Sequence, residues 1–222
     1  MASTLDGITV LDLSTGAPAA LATMFLSDHG ARVIRVVHPD DKKMRKGGFI
    51  VWDRGKELLK LDLINASENR DKAELFHRLV QGADILIDDF EPSSLGQNLV
   101  DAAWLKSINP RLISCSITAF GKHGPLKDEP PIDDLVLARM GVLSGMPGFR
   151  PAPVHVVHPL PTVGSALLAC LGIASSLLAR ETTGRGRAVE TTMMAGALLY
   201  HPKVLGEFIP KHTFQTHPSG SA

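Results

Sequence analysis

A doubly wound α/β fold, with a mostly parallel sheet and helices on both faces, is what this sequence predicts, and three observations predict it. Short β-branched or aliphatic segments alternate with helical segments along the chain. The strand segments are near-continuous apolar runs, as suits parallel strands buried on both faces. Proline stands near the start of a helix and glycine just past its end.

Taken in order, Ile8 to Ser14 reads as a strand, Pro18 to His29 as a helix closed by Gly30, and Arg32 to Val37 as a second strand. That is a β-α-β unit, whose crossover is right-handed in nearly all proteins. The pattern continues with a strand from Leu58 to Leu63, an amphipathic helix from Asn69 to Val80 and a strand from Asp84 to Asp88. A short helix, Ala102 to Ile108, then leads to a strand from Arg111 to Ile117. Between Gly121 and Arg150 the composition turns to proline, glycine and charge around one helical segment, Asp133 to Leu143, which predicts a loop-rich rim over the site. A long apolar helix from Thr162 to Glu181, the turn Thr183-Gly-Arg-Gly186 and a strand from Ala188 to Thr192 follow. Beyond Tyr200 periodicity is lost, so residues 1–200 read as one α/β domain and 201–222 as a linker.

Composition narrows the function classes. Lys plus Arg and Asp plus Glu number 23 each, which leaves no net field for a polyanion and argues against nucleic acid and anionic membrane surfaces as partners. The longest apolar stretch, Gly164 to Ala179, is short for a bilayer and contains three serines, so a buried core helix is expected. Cys115 and Cys170, both within apolar runs and without metal-ligand spacing, are expected to be buried, reduced thiols of a cytoplasmic protein. The first residues carry neither a basic nor an apolar leader segment. No G-x-G-x-x-G or P-loop pattern is present, which argues against a nicotinamide or free-nucleotide enzyme.

Ligands of doubly wound sheets sit beyond the carboxyl ends of the strands. Here those ends carry Ser14-Thr-Gly16, His38, Asp88-Asp-Phe90 and Thr118-Ala-Phe-Gly121. Thr162 stands where the long helix begins and is expected to cap it through its hydroxyl. Asp133 and Asp134 are expected to cap the helix they open. His155 and His158 precede the long helix, and His158 is near enough in sequence to serve as a general base.

Seven blocks, in order, resemble a known family. Leu5-Asp-Gly-Ile-Thr-Val-Leu-Asp12, Gly30-Ala-Arg-Val-Ile-Arg35, Leu61-Asp-Leu63, Ala83-Asp-Ile-Leu-Ile-Asp-Asp-Phe90, Asn109-Pro-Arg-Leu-Ile113, Phe120-Gly-Lys-His-Gly-Pro125 and Arg180-Glu-Thr-Thr-Gly-Arg-Gly186 are similar to class III CoA-transferases, a family that includes α-methylacyl-CoA racemases. The resemblance implies a large doubly wound domain, a small second domain and two interlinked chains. Ala222 falls where the small domain would begin, so the chain is expected to act as a portion of a homo- or hetero-oligomeric assembly.

The resemblance also implies a chemistry. An aspartate attacks an acyl-CoA thioester to give a mixed anhydride and then an aspartyl-CoA thioester, from which CoA passes to an acceptor carboxylate. Coenzyme A is thus a substrate, with no tightly bound cofactor and no metal. Thr162 occupies the aspartate's position, Ile132 that of the racemase histidine, and Asp133 that of a further family aspartate. This leaves Asp133 and His158 as candidate catalytic residues. Thr15, Gly16, Ala17, His38, Leu61, Leu63, Asp89, Phe90, Gln97 and Asn98 fall where the family cradles CoA. Leu61 and Leu63 either sandwich the adenine or serve as strand core. Arg54 and Lys56 are the cation pair for the phosphates, whereas Glu91 replaces a family arginine. A non-catalytic CoA-binding half, a racemase-type activity and a fragment without function of its own are the alternatives.

Overall fold

Six strands pair side by side, all in parallel, in the order β3-β2-β1-β4-β5-β6. They are β1 Thr9–Leu13, β2 Arg32–Val37, β3 Glu57–Lys60, β4 Ile85–Asp88, β5 Ile113–Thr118 and β6 Ala188–Thr192. The helices between them are α1 Ala17–Asp28, α2 Gly47–Trp52, α3 Arg70–Gly82, α4 Ala102–Ile108, α5 Asp133–Arg139, α6 Val142–Gly145, α7 Leu160–Thr183 and α8 Met193–Leu198. The structure, a computed structural model, describes residues 3–39, 47–63, 70–90, 99–145 and 155–200. The expected doubly wound topology is therefore present, and its order reverses between β1 and β4.

The strands are apolar on both faces because two cores need them. Val10, Ile85, Ile87, Ile113, Cys115 and Ile117 face α1 and α7, whose Ala19, Ala22, Ala166, Ala169 and Ile173 complete one cluster. Leu11, Leu13, Val36 and Leu86 face the other way, onto Phe76 and Val80 of α3 and Leu105 of α4. Phe76 stacks on Trp104 with ring centroids 5.9 Å apart, which joins α3 to α4. A third cluster, around Val136, Leu137, Met193 and Ala197, seats α5 beside α8.

Several expectations change. The strand expected from Leu58 to Leu63 spans Glu57–Lys60, and Leu61 and Leu63 continue beyond it into the core at 7% and 9% exposure. The single helix expected over 133–143 is interrupted after Arg139 and resumes at Val142, because Gly141 takes a positive φ of 75°. α2 and α8 were not anticipated; each is six residues long, too short to display helical periodicity. The expected linker, 201–222, lies outside the described residues.

α7 also corrects its expectation. At 24 residues it extends beyond the Gly164–Ala179 stretch at both ends and is long and apolar enough to cross a membrane. In the fold it instead packs between α1, α8 and the sheet. Gly164 and Gly196 permit the approach of α8: a methyl group at Gly164 would meet the Gly196 carbonyl oxygen at 2.3 Å. Only one face is buried, since Leu167, Leu171 and Leu178 are 45%, 64% and 74% exposed. Cys115 is buried and Cys170 half-buried, both as free thiols, and burial pushes the Cys170 pKa up to about 11.

Candidate functional site

The β1 and β4 strands separate their outgoing connections to opposite faces of the sheet, so the turns after them border a crevice at its carboxyl edge. Thr15 and Gly16 lie in the first turn and Asp89 in the second. The Asp89 carboxylate accepts from the Thr15 amide at 2.6 Å, the Thr15 hydroxyl at 2.9 Å and the Gly16 amide at 2.9 Å. Asp89 is 4% exposed, and burial raises its pKa against the opposing effect of those donors. Ser14, in the same turn, is 5% exposed, and its hydroxyl has no hydrogen-bond partner. Ala17 is the first residue of α1.

Asp88, one residue earlier, faces the other side of the sheet. Its Oδ2 accepts from the Ser116 hydroxyl of β5 at 2.7 Å, and Ser116 Oγ in turn accepts from Lys122 Nζ at 2.9 Å. The Lys122 amide donates to Glu190 of β6 at 3.0 Å. Asp88 is 1% exposed, and burial drives its pKa up to about 6 against the opposing Ser116 hydrogen bond and Lys122 charge. Phe90 is half-buried against the α3 side core, and its amide donates to Asp88 Oδ1 at 3.3 Å.

Below this crevice, between the sheet and α1, lies a charged layer. Lys56 Nζ donates to Asp12 Oδ2 at 2.9 Å, to the Thr23 hydroxyl at 2.8 Å and to the Ala20 carbonyl at 3.0 Å. The side chains of both Lys56 and Asp12 are 0% exposed. Burial opposes ionisation of Asp12, yet Lys56 and the Thr23 hydroxyl together hold its pKa below the ordinary carboxylate value. Arg35, itself buried, pairs with Asp53 nearby.

This layer corrects the assignment of Lys56 to ligand phosphates. Lys56 is enclosed by its internal ion pair, and Arg54 forms a bidentate pair with Asp28 of α1. Leu61 and Leu63, buried in the α3 side cluster, are core residues in this structure and not an open adenine clamp. His38, just past β2, pairs with Asp62, just past β3, at 3.4 Å. Gln97, Asn98 and Glu91 lie outside the described residues.

The second assembly of expected residues is the α7 entrance. Thr162 is 2% exposed and sits in the first turn, but the residue that precedes the helix is Pro159, which has no capping side chain. The expectation that Thr162 caps the helix through its hydroxyl is therefore not met. Asp133, from the start of α5, does so from outside: its Oδ1 accepts from the Thr162 amide and its Oδ2 from the Thr162 hydroxyl, both at 2.8 Å. The expectation that Asp133 and Asp134 cap their own helix is likewise replaced, since Ile132 holds that position without a side-chain bond. Asp134 instead pairs with His155 Nδ1 at 2.7 Å. His158 is exposed in the loop before α7, and its carbonyl accepts from the Leu160 amide.

The structure thus joins Thr15, Gly16 and Asp89 in one place and Asp133 and Thr162 in another. It adds Asp12, Ser116 and Lys122, which the sequence reading did not select, and links Asp88, named there only within a strand end, to Ser116. A usable signal existed for two of these. Asp12 is a charge inside an apolar strand, and Ser114-Cys-Ser116 alternates polar and apolar where a two-face-buried strand would not.

The family model for CoA-transferase family III matches residues 5–221. This chain belongs to CoA-transferase family III. Among its relatives is acetyl-CoA:oxalate CoA-transferase of Acetobacter aceti, 33% identical over 207 residues that cover 88% of this chain and 52% of the relative. Another is human α-methylacyl-CoA racemase, 34% identical over 197 residues, covering 86% of this chain and 48% of the relative. The crystal structure of Rv3272 from M. tuberculosis superposes with a TM-score of 0.83 at 29% identity, covering 94% of this chain and 60% of that one. This family III chain spans about half the length of the curated relatives it matches.

Proposed function

We propose that this chain serves a family III CoA-transferase assembly that moves CoA from an acyl-CoA to a carboxylic acid. The observation that carries the reading is the family match over residues 5–221, and the oxalate CoA-transferase among the relatives supports it. The reading takes the assembly to be oligomeric and cytoplasmic, with CoA as an exchangeable substrate and no tightly bound cofactor.

Transfer of this kind needs an ionised carboxylate that attacks the thioester carbonyl and expels the CoA thiolate. The resemblance implies that position for residue 162, where the side chain is a buried alcohol that donates its hydrogen bond to Asp133. A carboxylate is too weak a base to convert an aliphatic alcohol to an alkoxide, so the Asp133–Thr162 pair does not supply an equivalent nucleophile. This favours a second reading, in which the chain is a CoA-binding or scaffold half and the attacking carboxylate comes from another chain or domain. A racemase-type activity is disfavoured because Ile132, at the position of the implied base, is an exposed hydrocarbon.

The test is CoA exchange between an acyl-CoA and a labelled carboxylic acid, run on the assembly purified with whatever chains accompany this one. Borohydride reduction during turnover should release CoA and leave an alcohol in place of one carboxylate outside this chain. An adduct on Thr162 would overturn the scaffold reading. Absence of exchange across a panel of acyl-CoA and acid pairs would overturn the transferase reading.

A further inference from the structure

The turn after β1 at the crossover point of a doubly wound sheet is an anion acceptor, because backbone N–H groups converge there next to the positive end of the following helix. In this chain that turn is already filled by a carboxyl group, that of the chain's own Asp89. Its carboxylate takes the Thr15 and Gly16 amides together with the Thr15 hydroxyl, at 2.6 to 2.9 Å. The fit is close: a methyl group at Gly16 would meet Asp89 Oδ2 at 3.1 Å, which leaves no space for a phosphoryl group between turn and carboxylate.

Three features separate this contact from an ordinary loop tie. Asp89 is 4% exposed and forms no ion pair among the described residues, so its carboxyl is met there by neutral donors. Asp88 and Asp89 lie close enough to disfavour each other's charge, so an incoming phosphate would meet carboxyl groups as well as occupied donors. The buried Ser14 hydroxyl in the same turn has no partner, which makes it a spare donor beside a filled site.

We propose that Asp89 is a specificity-determining residue that fills the anion position of the β1–α1 turn and bars phosphate and pyrophosphate groups from the crevice between β1 and β4. A ligand with a diphosphate, CoA included, then places those groups away from Thr15 and Gly16. Only its uncharged portion lies against this turn. The inference goes beyond the transferase reading and needs no particular acyl chemistry.

The experiment uses the full chain in its native assembly, with pyrophosphate as the probe and amide NMR shifts of Thr15 and Gly16 as the readout. In the wild type these amides should remain unmoved by millimolar pyrophosphate. Asp89→Ala should bind pyrophosphate saturably, about tenfold or more tighter than the wild type, and its thermal midpoint should rise with pyrophosphate concentration. Asp89→Asn, which keeps an acceptor but removes the charge, should fall between the two. Saturable shifts at Thr15 and Gly16 in the wild type would overturn the proposal. So would folded Ala and Asn variants that ignore pyrophosphate, and so would failure of both to fold with pyrophosphate present, since Asp89 would then be architectural alone.

Discussion

Two helices on the same side of the sheet, α1 and α7, each begin beside a threonine whose amide and hydroxyl are both held by a carboxylate from another element. At α1 the pair is Thr15 and Asp89, and at α7 it is Thr162 and Asp133. Their surroundings differ. Asp89 is buried above a layer that contains the fully enclosed Asp12–Lys56 pair, whereas Asp133 is half-exposed at the start of a short helix. The same bonding pattern therefore rests on a rigid charged foundation in one place and on a surface junction in the other. Buried charges are coupled strongly and tolerate loss of a partner poorly; half-exposed ones are screened.

The largest expected effect breaks the foundation. Lys56→Met removes the only cation in contact with the enclosed Asp12 among the described residues, and the stranded carboxylate should reduce unfolding free energy by about 3–5 kcal/mol. Urea denaturation at pH 7 measures it. A loss below about 1 kcal/mol would show that the buried layer relaxes as easily as a surface pair.

Next is the pH dependence of the crevice. A carboxyl whose pKa rises from 3.8 to about 6 on folding binds more protons in the native state between those values. Its contribution is favourable below pH 4 and is lost as pH rises through 6. Asp88→Asn should therefore be more stable than the wild type at pH 8, by up to about 3 kcal/mol, with the advantage disappearing toward pH 4. Lys122 and Asp89 are the charged neighbours, and a profile that is flat across this window would exclude burial as the controlling effect.

The α7 entrance should respond more gently. Thr162→Asp sets a second carboxylate against Asp133, at a position now separated from it by only 2.8 Å, and should cost roughly 2 kcal/mol above pH 7. Adding Asp133→Asn should recover most of that loss, which a double-mutant cycle by thermal unfolding would measure. The smallest effect is Asp133→Ala alone, about 1 kcal/mol, as for removal of a helix cap. A loss equal to that of Lys56→Met would erase the distinction between the two regions.

Much of the framework was legible before any coordinates. The strand Arg32–Val37, the helix Ala102–Ile108 and the strand Ala188–Thr192 appear at the expected residues, because each is short, bounded by turn-formers and apolar where it must be. Thr15, Gly16 and Asp89 were selected through the family resemblance, and the structure brings them into contact. The pairing partners of the charges were not legible. Lys56 reads as a loop cation, but it lies 44 residues from Asp12 and reaches it only because β3 follows β2 outward in the sheet and α1 lies across them.

The sequence by itself determined the alternation of strands and helices, the parallel sheet and the family, since these depend on local periodicity, turn chemistry and the order of motifs along the chain. Tertiary structure alone decided which carboxylate meets which donor. Asp133 could have capped its own helix, yet it caps α7 because packing of α5 against α8 brings its carboxylate to the Thr162 amide. Hydrogen-bond partners are chosen by distances between elements, and those distances arise from core packing that no single segment contains.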